Sequence, residues 1–231
     1  LSEISTNPEV ITWISSQFSI SPALINVDNL TQAQGLSFLD ELESRMEKSS
    51  YSMWFDDQAE AMFRRLRGLS IEENVAERFS DKARSFSVRH AMKEVLDLLA
   101  PLPSIPYVLE VMCDTSDDES IRVSAAYFIY HNATQELSGN LIKIVEDASQ
   151  ETRQQCEIVS LSIRTLYRLG TYDCLTAMIK APDRISRIGD ATSSLQHQLC
   201  EEMTSDDAMA YLQYIQENPA LILNLTQRKK N

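Results

Sequence analysis

From about residue 81 the chain repeats one arrangement: a long amphipathic segment, a short break, then a shorter amphipathic segment. The long segments are Ala83–Ala100, Glu119–Asn132, Glu151–Leu169 and Arg184–Met203. The shorter ones are Ile105–Asp114, Ser138–Asp147, Tyr172–Lys180 and Asp206–Glu217. Apolar residues recur at spacings of three and four within each, the period of a helix with one buried face. The long segments begin about 32–36 residues apart, a period of solenoid type. One such helix pair cannot cover its own apolar face, so its neighbours must. Five glycines and seven prolines are few for 231 residues. A sandwich or barrel needs turn residues far more often.

The breaks carry helix-ending and helix-starting chemistry. Pro101, Pro103 and Pro182 end helices, and Gly170 follows the cation-bearing last turn Arg168-Leu169. Asp117, Ser149 and Thr204-Ser205 stand ahead of apolar runs as caps. Upstream, Asn7-Pro8 starts a helix, and a longer one begins near Thr31 with Leu36, Leu39, Leu42 and Met46 inward. Gly68 reads as a helix stop, and Ser70 with Glu73 as a capping box. These first 80 residues show no repeat. The expected organisation is a helical N-terminal cap or module over 1–80, four helix pairs over 81–219, and a tail over 220–231.

The second pair reads Asp118-Glu119-Ser120-Ile121-Arg122-Val123-Ser124-Ala125-Ala126, then Leu141-Ile142-Lys143-Ile144-Val145-Glu146-Asp147. Val88-Arg89-His90-Ala91 and Val108-Leu109-Glu110-Val111-Met112 echo it. This pattern resembles a HEAT repeat over roughly residues 83–217. The resemblance implies an all-α, right-handed α-solenoid of antiparallel helix pairs. It further implies a protein-binding scaffold rather than an enzyme.

The net charge of −13 and pI near 4.7 speak against a nucleic-acid partner, which needs clustered Lys and Arg. Arg228-Lys229-Lys230 is the one basic run. No segment reaches the roughly 20 apolar residues of a membrane span. Four scattered cysteines, Cys113, Cys156, Cys174 and Cys200, read as buried free thiols in a cytoplasmic protein. The first residue, Leu1, is not a methionine, which suggests a piece of a longer chain. A sensor or regulatory module cut from a multidomain protein is the alternative function.

No local catalytic or phosphate-binding signature is present. His197, Cys200 and Glu201 share a helix face and are the best candidates for a metal or for an unfamiliar helical active site. A packed cysteine beside a surface His and Glu is the favoured reading, and no cofactor is expected. The acidic clusters Asp56-Asp57, Asp117-Asp118-Glu119 and Asp206-Asp207 lack calcium-loop spacing, and helix capping explains the latter two better. Met53-Trp54-Phe55 reads as core or as a contact patch.

The remaining candidate site is the outward row of the shorter helices: Tyr107, Glu110, Asp114, Asn140, Lys143, Asp147, Asp173, Thr176, Lys180, Asp207, Tyr214 and Glu217. Their inward residues include Val108, Leu109, Met112, Leu141, Ile142, Val145, Leu175, Met178, Ile179, Leu212 and Ile215. The row is polar and mildly acidic and suits a protein or peptide with a basic contact surface.

Overall fold

A computed structural model describes residues 31–48, 63–64, 66–99, 102–147, 152–180 and 191–218. The sequence readings at Asn7-Pro8, Met53-Trp54-Phe55, Asp56-Asp57, Ser149, Pro101, Pro182 and the tail lie outside these residues. Within them the chain is all-helical. The helices are α1 (Gln32–Lys48), α2 (Glu72–Ser80), α3 (Phe86–Leu98), α4 (Ile105–Cys113), α5 (Glu119–Asn132), α6 (Ser138–Asp147), α7 (Arg153–Arg168), α8 (Ala191–Glu202) and α9 (Ser205–Glu217). Short 3-10 turns cover Leu66–Leu69, Leu102–Ser104 and Gln135–Leu137, and a π-helical turn covers Thr176–Lys180. The chain divides into two compact units, residues 1–132 and 133–231.

In the first unit the packing pairs each short helix with the long helix that follows it. The most extensive interfaces are α2 with α3 and α4 with α5. The two hairpins then lie side by side, α2 against α4 and α3 against α5, with α1 against α3. The sequence reading placed each long helix with the short helix after it, and the packing is offset from that by one helix. Helix α2 therefore belongs with α3, and the boundary expected at residue 80 falls inside one hairpin. Helices α2, α4 and α6 begin at residues 72, 105 and 138, a constant step of 33. Val75, Phe79, Val88, Met92, Leu96, Val108, Met112, Ile121, Ala125 and Phe128 are sealed between the hairpins.

Two arginines tie this core. Arg89 on α3 donates from Nε to the carbonyl of Phe79, ten residues back in α2, at 2.7 Å. Arg122 on α5 makes the same contact to the carbonyl of Met112 in α4, at 3.2 Å. Each satisfies a carbonyl in the last turn of the preceding helix that has no intrahelical partner. These are the arginines of the repeated Val-Arg and Ile-Arg steps.

The caps are partly relocated. Asp118, not Asp117, caps α5, its Oδ1 accepting from the N–H groups of Ser120 and Ile121. The α2 start has Ile71 at the cap with no side-chain cap bond, and Ser70 takes a left-handed backbone at φ 54. Gly68 lies within a 3-10 turn, and its φ is not positive. Ser85 and Thr152 cap α3 and α7, which shortens both long segments at their starts.

In the second unit α7 packs against both α6 and α8. It is buried on most sides, and Ser160, Ser162 and Thr165 turn their hydroxyls onto carbonyls four residues back. Gly170 adopts φ +71. The N–H of Thr171 bonds the carbonyl of Leu166 and that of Gly170 bonds Tyr167, the hydrogen-bond pair of a Schellman stop. Of the expected Tyr172–Lys180 helix, Thr176–Lys180 forms a π turn, and Cys174, Ala177 and Met178 are buried. Of the long fourth segment, Ala191–Glu202 is helical, and residues 184–190 lie outside the described residues. Helix α9 buries none of its residues: Leu212, expected in the core, is 59% exposed, and Ile215 is half-buried. Leu109, Ile142 and Leu175 are also half-buried, while Val108, Met112, Leu141, Val145 and Met178 are core.

Candidate partner-binding surface

On α4, Glu110 is exposed and Tyr107 half-buried. Both project away from the core that Val108, Val111 and Met112 enter. The neighbouring α2 contributes Glu73 and Glu77, also exposed. Glu77 and Glu110 hold the same position in successive hairpins, as do Asn74 and Tyr107. The first unit thus presents a two-helix polar face with three exposed carboxylates around one tyrosine. The sequence reading missed the α2 half because it set residues 72–80 outside the repeat. The signal was present in the shared spacing of Val75, Phe79 and Arg89 with Val108, Met112 and Arg122.

Asp114 has another task. Lys82 pairs with it, and the hydroxyl and N–H of Ser116 both donate to its Oδ1, at 2.7 and 2.9 Å. The hydrogen bonds from Lys82 and Ser116 hold its carboxyl well below the usual range. It shapes the α4–α5 turn.

In the second unit Asn140, Lys143 and Asp147 are exposed on α6. Asp173 is exposed and accepts from the N–H of half-buried Thr176 at 2.6 Å. The Lys180 side chain lies outside the description. On α9, Tyr214 is half-buried and Glu217 is exposed, accepting from Gln213. Asp207 accepts from the Tyr167 and Thr204 hydroxyls, both at 2.7 Å, which lowers its pKa. The expected row is therefore divided between the units, with Tyr107, Glu110 and Asp114 in one and the others in the second.

Above α2, a cleft of about 500 Å³ is lined by Asn74, Glu77, Arg78, Ser80, Asp81 and Arg84. Its arginines are already engaged. Arg78 bridges Asp40 and Glu43 of α1, and Arg84 pairs with Glu43 and Asp81. These pairs fasten α1 to the first hairpin.

His197 Nδ1 lies 3.5 Å from Glu201 Oε1, with both side chains open to solvent. Cys200 is exposed, as is Cys113, whereas Cys156 and Cys174 are buried. The expectation of four buried thiols thus holds for two. Among the described residues, no group of three or more His, Cys, Asp or Glu is placed to hold a metal ion, and no helix is long and apolar enough to cross a membrane. Comparison with protein-family models, curated proteins and solved structures gave no match.

Proposed function

We propose that this chain is a non-catalytic protein-binding scaffold or adaptor, built as a right-handed α-solenoid of HEAT-like helix pairs. The observation that carries the reading is the lateral stacking of two hairpins with equivalent residues in equivalent places. Such stacking places like positions of successive repeats side by side and generates an extended face. The guest is a protein or peptide with a basic contact surface, because Glu73, Glu77 and Glu110 are exposed on the α2–α4 face and the chain carries −13.

The test is affinity capture from native lysate with two baits, the parent chain and a Glu77→Gln, Tyr107→Ala, Glu110→Gln variant of the α2–α4 face. The expected result is a partner retained by the parent and lost by the variant, with both baits equally folded by circular dichroism. An identical set of captured proteins on both baits would discard this surface.

A further inference from the structure

Helix α9 turns apolar residues outward where the other short helices are polar. Counted back in steps of 33 residues, Met209 takes the place of Lys143, Glu110 and Glu77, and Leu212 that of Glu146, Cys113 and Ser80. Met209 is 66% and Leu212 59% exposed, and half-buried Ala208 and Ile215 continue their stripe at spacings of three and four. The other side of α9 is occupied. Tyr167 of α7 donates to the Asp207 carboxylate, and the Cys174 thiol to the Asp207 carbonyl. Large apolar residues adjoining on one helix face, at positions that carry charge elsewhere in the repeat, mark a surface that something covers.

Charge restricts the cover. Helix α9 holds Asp206 and Asp207 in its first turn and Glu217 at its end, and has no lysine or arginine. A second α9 laid antiparallel would set Asp206 against Glu217, acid against acid. A fitting cover is apolar along one stripe and basic at the end that meets exposed Asp206.

The residues that follow α9 have this pattern. The Asn218 N–H closes the helix on the carbonyls of Tyr214 and Ile215, and its side-chain amide donates to Tyr214 as well. Pro219 comes next and cannot extend the helix. Beyond it stand Leu221, Ile222 and Leu225 at helical spacing, then Arg228-Lys229-Lys230, the one basic run of the chain. As a helix, residues 220–230 would be about 16 Å long at 1.5 Å per residue. Laid back along the 13 residues of α9, that length brings the basic run to the first turns, within side-chain reach of Asp206.

We propose that residues 219–231 fold back over the Met209–Leu212 side of α9, with Leu221, Ile222 and Leu225 on its apolar stripe and Arg228-Lys229-Lys230 beside Asp206. This is a contact within the chain, and it stands or falls separately from the guest surface on α2 and α4.

The test is amide hydrogen exchange of the full chain, read by peptide mass spectrometry. The expected result is that residues 220–227 exchange about tenfold or more slowly than in a synthetic peptide of residues 219–231. A Met209→Ser, Leu212→Ser variant should lose that protection while α7 keeps its own. Should this variant fold poorly, Leu221→Ser with Leu225→Ser gives the matching loss, read as faster exchange in α9. Exchange of residues 220–227 at the free-peptide rate in the parent, or protection unchanged in both variants, overturns the proposal. Protection that appears only as protein concentration rises, with a dimer mass by light scattering, assigns the stripe to a second copy and overturns it too.

Discussion

Arg89 and Asp117 form a two-pronged ion pair with both contacts at 2.6 Å and side chains only 5% and 3% exposed. Arg89 sits in the first hairpin and Asp117 in the turn of the second. The same guanidinium also bonds the Phe79 carbonyl and lies 5.8 Å from the centre of the Phe79 ring. One side chain therefore closes its own hairpin and clasps the next. Removing one partner leaves a buried charge without its counterion, at a cost of about 3–5 kcal/mol. Arg89→Met and Asp117→Leu should each be strongly destabilising in urea titrations, and the double variant should recover much of the loss.

Burial alone would raise the pKa of Asp117. The hydrogen bonds from Arg89 and the Asp118 N–H more than reverse this, and its carboxyl lies below the ordinary range. A lowered carboxyl stabilises the fold above the unfolded-state pKa, about 3.9, and the gain fades as pH falls through the folded-state value. The stability difference between the parent and Asp117→Asn should be full at neutral pH and shrink in acid below about pH 4. A difference that grows on acidification would contradict this assignment.

Arg122 makes the same carbonyl contact as Arg89, but no carboxylate is recorded as its partner among the described residues. Arg122→Met should therefore cost less than Arg89→Met, about 1.5–3 kcal/mol for one charged hydrogen bond. Paired denaturation curves check the ranking, and equal losses would show that the acid adds nothing.

Much of the fold could be read from the chain because helical periodicity and caps are local. The bounds of α5 and α6 match the sequence reading, and Gly170 stops α7 where a positive φ is needed. The pairing of helices could not be read this way. Long-then-short and short-then-long frames have identical periodicity, and what separates them is where Arg89 and Arg122 reach, ten residues backwards. The candidate surface was half legible for that reason: Tyr107 and Glu110 were visible, while Glu73 and Glu77 waited on the frame. Asp114 looked like a surface acid and Asp117 like a helix cap, because a sequence does not reveal which lysine or arginine folds onto them.

The thiols should separate by reactivity. Burial pushes the Cys174 thiol up to about 11 and raises that of Cys156, so both stay protonated at mild pH. Cys113 and Cys200 are exposed. Timed iodoacetamide labelling of the native chain at about pH 8, a value near the ordinary thiol pKa, should modify Cys113 and Cys200 well before Cys156 and Cys174. Uniform labelling, read by peptide mass spectrometry, would show that the second unit opens easily.

Gly170→Ala meets no atom within 4 Å, so its cost is conformational. At φ +71 an L-residue pays about 1–2 kcal/mol, and Gly170→Asn should lose less. Thermal melts of the two variants test this ordering.

In the proposed role, stacked hairpins present a polar face to a protein guest. The most direct measurement is calorimetric titration of a partner captured by the parent chain against a Glu77→Gln, Tyr107→Ala, Glu110→Gln variant. Affinity should fall about tenfold or more, some 1.4 kcal/mol, with the melting temperature unchanged. Equal affinity for parent and variant would contradict it.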